Sequence, residues 1–143
     1  MKLSRIILSE ILQSTPEFDK EIDRIVDLGG KYIGAGDYGS AYLLNGKIYK
    51  VTTDEVELEH AEILKGKKTN NFVYIYDVKV LDPKLGIIEM EVLGEYKGEV
   101  PDKFKEQTKS EAQRFGIDPD ELDFVGDNVM VDPKSGRLKM IDV

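Results

Sequence analysis

Apolar residues recur every three or four positions in the first thirty residues, a period that predicts helices. The first predicted helix covers residues 3–12. The second begins at Pro16, which suits the first helical position, and ends at Gly29-Gly30. Thr15 is its expected N-cap. The apolar face of this second helix comprises Phe18, Ile22, Ile25 and Val26.

From Lys31 onward the pattern changes to short apolar segments separated by turn residues, which predicts strands. Three strands are expected within residues 31–52. Asn45-Gly46, between the second and the third, favours a tight type I′ hairpin. Residues 71–81 and 86–93 predict two further strands joined by a turn.

Two more helices and a final hairpin complete the pattern. Residues 52–68 predict a helix in which Thr52 and Glu55 have capping-box spacing. Its candidate apolar contacts are Val56, Leu58, Ile63 and Leu64. Residues 101–117 predict a more polar helix, and residues 128–142 predict a hairpin. This order predicts an α+β fold with a five-stranded antiparallel sheet, one inserted helix, then a helix and a hairpin.

The composition and net charge of the chain exclude several classes of function. The net charge of −8 argues against nucleic acid as a partner, because nonspecific nucleic-acid binding depends on basic surface. The chain has no cysteine and one histidine, which excludes thiolate and histidine-rich metal sites. Its apolar segments are too short for a membrane span, and no signal-peptide cleavage site is present. We therefore expect a cytoplasmic protein without a membrane partner, in the host cytoplasm if it is virus-encoded.

Gly34, Gly36 and Gly39 form a G-x-G-x-x-G pattern near the first two predicted strands. In a dinucleotide-binding fold this pattern leads from a strand into a helix, whereas here a strand and hairpin follow, which excludes that fold. Two interpretations remain. One is a hairpin whose backbone amides approach phosphates, which glycine allows because it has no Cβ. The other is an ordinary glycine-rich turn.

Lys50 lies in the third predicted strand, where a lysine either points to solvent or faces an anionic partner. If it faces the glycine pattern, its ammonium can neutralise nucleotide phosphates. The acidic residues of the next helix that could hold it extended are Glu55, Glu57, Glu59 and Glu62.

Asp123 precedes Asn128 by five residues, and Asp142 lies at the far end of the hairpin that Asn128 opens. Two aspartates and an asparagine brought together in this way suit a base that orients a hydroxyl and two oxygen ligands of Mg²⁺. Taken singly, each is also explained as a turn residue or a solvated terminus. The three spacings nevertheless occur together and in order.

In this order, the glycine pattern, the strand lysine, the helix, Asp123-x-x-x-x-Asn128 and the hairpin ending at Asp142 resemble the protein-kinase-like fold over residues 31–143. The resemblance implies a helical extension over residues 1–30, a kinase-like N-lobe over 31–93 and a reduced C-lobe over 94–143. That C-lobe would hold one helix, the catalytic loop and the metal-ligand hairpin.

The resemblance also implies ATP and Mg²⁺ as ligands and assigns roles to individual residues. Asp123 and Lys50 would be catalytic, and Asn128 and Asp142 would bind the metal. Ungapped position matching places His60 opposite Lys50, and a one-residue shift places Glu59 there. We expect Glu59 as the partner of Lys50, with Glu57 as a third choice. Nucleotide contacts would come from Gly34, Gly36, Gly39, Lys50, Glu59 and the hinge backbone from Glu91 to Leu93, which follows Met90.

Three departures from the kinase pattern bear on function. Glu121-Leu122 replaces the usual His-Arg, Val125 replaces a basic residue that contacts the γ-phosphate, and neither an activation segment nor later C-lobe helices follow Asp142. We expect an ATP- and Mg²⁺-dependent phosphotransferase acting on a dedicated partner, on itself or on a small molecule. The alternative is a pseudokinase-like nucleotide-binding or protein-interaction module without catalysis.

The catalytic loop also needs support in place of the missing C-lobe helices. We expect that support from the N-terminal helices, from a single protein partner or from a second copy of the chain in a homodimer.

Overall fold

The structure, a computed structural model, describes residues 16–35, 39–82, 84–125 and 128–141. Its helices are α1 (Pro16–Asp27), α2 (Glu55–Leu64) and α3 (Asp102–Arg114), with a short 3-10 turn at Pro119–Glu121. Its strands are β1 (Lys31–Ala35), β2 (Gly39–Leu44), β3 (Lys47–Thr52), β4 (Ile75–Asp82), β5 (Leu85–Met90), β6 (Gly94–Glu95), β7 (Val129–Val131) and β8 (Leu138–Met140). Within these ranges no helix is long and apolar enough to cross a membrane. The predicted helix over residues 3–12 and the expected cap Thr15 lie outside them.

Five strands form the predicted antiparallel sheet, in the spatial order β1-β2-β3-β5-β4. Helix α2 is inserted between β3 and β4, as the sequence pattern predicted. Asn45 and Gly46 join β2 to β3 with φ angles of 53° and 76°. A type I′ turn requires positive φ at both positions, so the hairpin prediction is confirmed.

The two faces of this sheet are covered by different helices. Helix α1 covers one face, and its apolar side packs with sheet residues in a cluster of Phe18, Ile22, Ile25, Tyr42, Leu44, Val51, Leu85 and Ile87. Helix α2 covers the other face. The expectation that the N-terminal helices support the catalytic loop is therefore wrong for α1. Its apolar residues Phe18, Ile22 and Ile25 are buried against the sheet instead.

The start of α2 differs from the predicted capping box. Asp54, and not Thr52, is the N-cap: its Oδ1 accepts hydrogen bonds from the backbone N–H of Val56 at 3.0 Å and of Glu57 at 3.3 Å. Asp54 directly precedes the first helical residue, where a carboxylate satisfies the open N–H groups and favours the helix dipole. With this helix start, Val56 is 45% exposed and does not make the predicted core contact.

A second core joins α2 to the C-terminal part of the chain. It combines residues of the sheet and α2 with residues of α3 and the final hairpin, among them Leu58, Leu64, Ile88, Phe104, Ala112, Val129 and Met140. Strands β6, β7 and β8 form a separate three-stranded sheet beside it. Strand β6 was not predicted, because two residues are too few to show an alternating pattern.

Candidate functional site

Lys50 lies in β3, where neighbouring strands fix its backbone on both sides. The register pairs it with Ala41 of β2 and Ile88 of β5. Residues paired across antiparallel strands point to the same face, and Ile88 packs in the core that α2 covers. The side chain of Lys50 therefore lies on the α2 face, where an acidic residue of the helix can reach it.

The acidic partner of Lys50 is Glu57, in the first turn of α2. Nζ of Lys50 donates to Oε2 of Glu57. The side chain of Glu57 is 2% exposed and that of Lys50 is 24% exposed, so the carboxylate is buried and the lysine reaches towards solvent. The predicted partner Glu59 is wrong: it is exposed, because two residues along a helix rotate a side chain by about 200°.

Close packing explains one glycine of the G-x-G-x-x-G pattern and leaves another unexplained. A Cβ on Gly39 would lie 2.4 Å from the carbonyl oxygen of Val51, so close strand packing alone requires glycine there. At Gly34 a Cβ would meet no described atom within 4 Å. Packing among the described residues therefore does not explain Gly34. Gly36 lies outside those residues.

Asp123 and Asn128 are brought together by a direct contact. Nδ2 of Asn128 donates to the backbone carbonyl oxygen of Asp123 at 3.0 Å. Asp123 is exposed, and its Oδ1 accepts from the backbone N–H of Val125 at 3.1 Å. Phe124 packs edge-on against Phe104 of α3, with ring centroids 6.2 Å apart. The loop is thus anchored to the core while Asp123 faces solvent.

Asp142 lies outside the described residues, but the strand that leads to it is held from two sides. The N–H of Met140 donates to the carbonyl of Asn71 at 2.7 Å, and its carbonyl accepts from the N–H of Val73 at 2.9 Å. The N–H of Ile141 donates to the carbonyl of Asn128 at 2.8 Å. The backbone is therefore fixed beside Asn128 as far as Ile141, and the metal role of Asp142 stays a prediction.

The predicted hinge follows β5. Met90 is 5% exposed at its start, and Leu93 packs at the edge of the core. Both the backbone and the side chain of Glu91 form hydrogen bonds. Its backbone N–H donates to the carbonyl of Tyr74 at 3.0 Å. Its carboxylate accepts from the N–H of Tyr74 at 2.6 Å and from Nζ of Lys139 at 2.9 Å. The side chain of Glu91 thus fixes the hinge to β8, a role that the sequence did not indicate.

Two further polar contacts near the site were not predicted. Nε2 of His60 lies 2.9 Å from Oε2 of Glu121. The carboxylate of Glu111 accepts from the backbone N–H groups of Asn70 and Asn71 at 2.9 and 2.8 Å. Both contacts join residues far apart in the chain, so no local spacing marks them. Two features of the sequence could have indicated the first contact. His60 is the single histidine, and Glu121 occupies the position at which kinases usually carry a histidine.

The sheet, the inserted helix with its ion pair and the Asp123 loop together define a protein-kinase-like fold. Solved protein kinases show the same fold. The crystal structure of Rad53 1-466 in complex with AMP-PNP has a TM-score of 0.56 and 14% identity, and the match covers 78% of this chain and 36% of that one. The kinase domain of Mycobacterium tuberculosis PknI has a TM-score of 0.53 and 14% identity, with 78% and 57% covered.

The fold prediction is therefore confirmed: an α+β, protein-kinase-like fold whose N-lobe comprises β1–β5 and α2. Of the C-lobe, the described residues include α3, the Asp123 loop and the small sheet β6–β8. The chain spans less than two thirds of the length of either kinase structure. Neither a protein-family model nor a curated protein sequence matches it significantly. At 14% identity the likeness shows the fold, and function has to follow from the residues of the site.

Proposed function

We propose that this chain is an ATP- and Mg²⁺-dependent phosphotransferase. The ion pair between Lys50 and Glu57 gives the strongest support, because a buried carboxylate that holds a strand lysine fixes a positive charge for nucleotide phosphates. In this role Lys50 contacts the α- and β-phosphates. The backbone amides between Gly34 and Gly39 approach the same phosphates, and the hinge backbone from Glu91 to Leu93 contacts adenine.

Asn128 and Asp142 are the proposed ligands of Mg²⁺, which when bound would neutralise charge on the phosphates. Both offer the hard oxygen atoms that Mg²⁺ prefers. Asn128 uses its side-chain nitrogen for the contact with Asp123, so its amide oxygen is not the atom engaged there. No three acidic or histidine side chains gather into a metal-binding group within the described ranges. The metal proposal therefore depends on Asp142.

Asp123 is the proposed base that orients the acceptor hydroxyl. Its exposed position leaves the loop open to an acceptor, and the hydrogen bond from Val125 holds its carboxylate in one orientation. A carboxylate held in this way accepts the hydroxyl proton as the oxygen attacks the γ-phosphorus, the bond from that phosphorus to the bridging oxygen breaks, and ADP leaves. The proposed acceptor is a dedicated protein partner, the chain itself or a small molecule. A protein partner, or a second copy of the chain, bound beside this loop would supply the surface that holds the acceptor.

Nucleotide binding is the first test of this proposal. ATP with Mg²⁺ should raise the Tm, because a ligand at one hundred times its Kd stabilises the native state by about 2.7 kcal/mol. Lys50→Met should lose this shift, whereas Lys79→Met, a control at an exposed lysine of β4, should keep it. The absence of any shift at millimolar ATP would contradict nucleotide binding and, with it, catalysis.

Phosphoryl transfer is the second test. With labelled ATP, Asp123→Ala should lower turnover by a factor of about 10²–10⁴, the usual contribution of a positioned general base. Asp120→Asn removes an exposed carboxylate from the preceding 3-10 turn and should leave turnover unchanged. If Asp123→Ala turns over ATP as fast as the wild type, Asp123 is not the base.

A nucleotide-binding or protein-interaction module without catalysis is the second candidate function, and Val125 favours it. This residue is 73% exposed, two positions after Asp123, where the kinase pattern places a basic residue. An apolar side chain cannot supply the positive charge that a transferring phosphoryl group requires. A rise in Tm with ATP, combined with no transfer by the wild type, would identify this second function.

A further inference from the structure

His60 connects α2 to the loop that carries Asp123. It lies one helical turn after Glu57, so both side chains lie on neighbouring parts of the helix surface. The imidazole Nε2 is 2.9 Å from Oε2 of Glu121, the last residue of the 3-10 turn. Asp123 follows two residues later. One turn of α2 therefore carries both the partner of Lys50 and the residue that contacts the Asp123 loop.

The burial of His60 makes this contact energetically important. Its side chain is 8% exposed, whereas that of Glu121 is 45% exposed. Within the described part of the chain, Nδ1 of His60 is buried and has no hydrogen-bond partner. A buried imidazole with one unsatisfied nitrogen costs free energy that an apolar side chain of similar size would not. Packing alone therefore does not account for a histidine here, whereas the contact of Nε2 with Glu121 does.

The two elements that this contact joins also meet in the second core, which includes Leu58 and Leu64 of α2 and has Phe124 of the loop packed against it. Helix α2 packs on the N-lobe sheet through Leu58 and Leu64. The loop is anchored towards α3, through the ring contact between Phe124 and Phe104. The contact between His60 and Glu121 thus adds a polar link between α2 and the loop to the apolar packing that they share.

We propose that His60 and Glu121 are positioning residues that set α2 and the Asp123 loop relative to each other. This contact keeps the ammonium of Lys50 and the carboxylate of Asp123 at a constant distance and orientation relative to each other. The inference rests on the proposed phosphotransferase function, for which both groups must act on the same nucleotide. Phosphoryl transfer depends mainly on positioning, so a small displacement of either group lowers the rate more than the affinity.

The kinetic test compares His60→Leu, Glu121→Ala and their combination with the wild type. Each single variant should lower kcat about tenfold or more, the size expected from a misplaced catalytic geometry, and leave ATP affinity nearly unchanged. The combination should be no worse than either single variant, because both remove the same bond. Glu121→Gln keeps a side-chain oxygen that can accept the bond, so it should stay closer to the wild type than Glu121→Ala.

Asp77→Asn is the matched control. Lys65, directly after α2, forms an exposed ion pair with Asp77 at 3.2 Å, and its removal should leave kcat unchanged. If His60→Leu does not fold, Glu121→Ala still decides the question, since Glu121 is largely solvent-accessible. An active wild type with unchanged kcat in both His60→Leu and Glu121→Ala would overturn the proposal.

Amide hydrogen exchange without nucleotide separates this proposal from the proposed function. Glu121→Ala should speed exchange both in α2 and in residues 122–125, whereas Asp77→Asn should not affect residues 122–125. Faster exchange in the loop alone, with α2 unchanged, would show that the bond does not couple the two elements. A wild type that binds no nucleotide would refute the phosphotransferase function, and the exchange result would still decide on the coupling.

Discussion

At the scale of single residues, the ion pair of Lys50 and Glu57 has a direct consequence for stability. Lys50→Met leaves the buried carboxylate of Glu57 without its ammonium and should lower the free energy of unfolding by about 3 kcal/mol. Lys50→Met combined with Glu57→Gln should recover much of that loss. Urea unfolding measures both variants, with Lys79→Met as the exposed control. Equal stability of Lys50→Met and Lys79→Met would contradict this prediction.

The sequence could not decide whether Glu57 or Glu59 is the partner of Lys50. The sequence indicated that Lys50 needs an acidic partner on the next helix, and the structure supplies one. Which acid faces the sheet depends on the residue at which α2 begins, because each residue rotates the helix by about 100°. Matching positions along the chain placed His60 opposite Lys50 without a shift and Glu59 with a shift of one residue, whereas Glu57 is the partner in the structure. Local spacing could not decide between them.

The exposed pair of Lys65 and Asp77 gives a pH-dependent prediction. The hydrogen bond from Lys65 lowers the pKa of the Asp77 carboxyl below its ordinary value of 3.8. Because the folded-state pKa is the lower one, the pair stabilises the fold above the unfolded-state pKa and loses this effect as pH falls through the folded-state pKa. Asp77→Asn should therefore cost less than about 1 kcal/mol at pH 7, as exposed pairs do.

Urea unfolding at a series of pH values measures this cost. The difference between the wild type and Asp77→Asn should shrink below about pH 5 and vanish at lower pH. A difference that stays constant down to pH 3 would show that ionisation of Asp77 is not its source.

At the scale of elements, Glu111 of α3 holds the segment that in turn holds β8. Its carboxylate is buried and accepts from the N–H groups of Asn70 and Asn71, and the carbonyl of Asn71 accepts from Met140. Glu111→Ala removes the acceptor of the N–H of buried Asn71 and of the N–H of Asn70 beside it. It should lower the free energy of unfolding by about 3 kcal/mol, since hydrogen bonds to a charged group contribute about 1.5–3 kcal/mol each.

Chemical unfolding of Glu111→Ala beside Glu106→Ala tests this role. Glu106 is an exposed glutamate of the same helix, so its replacement should change stability little. Similar unfolding midpoints for the two variants would mean that Glu111 does not hold the segment.

The elements themselves were largely predictable because their signals are local. The hairpin at Asn45-Gly46, the amphipathic helix α1 and the polar helix α3 each follow from neighbouring residues. Strand β6 and the bridge between Phe72 and Met140 did not follow, because each exists only through a partner distant in the chain. Pairing of that kind leaves no periodic pattern in a short segment.

At the scale of the whole molecule, α1 is part of the structural core. Phe18 is fully buried in the cluster on the sheet face opposite α2. Phe18→Ala should lower the free energy of unfolding by about 3–5 kcal/mol through lost burial and the remaining cavity. Leu28→Ala, at a residue 61% exposed just after α1, is the control and should cost little. A loss of stability at Phe18 no larger than at Leu28 would mean that α1 does not stabilise the sheet.

The kinase-like arrangement was recognisable in the sequence because its chemical residues occur in a fixed order, from the glycine pattern to Asp142. The contacts that join the two lobes were not recognisable. The bonds of His60 with Glu121 and of Glu91 with Lys139 each join residues that only the folded chain brings together.

The bridge of Met140 to residues 71–73 also has a consequence for the order of folding. Strands β1, β2 and β3 pair through short connections, so they can form early and quickly. The hydrogen bonds of Met140 to Asn71 and Val73 close a long loop, whose entropy must be overcome before those bonds stabilise anything. We therefore expect the sheet to assemble before the final hairpin docks, and the Asp123–Asn128 arrangement to form with that late docking.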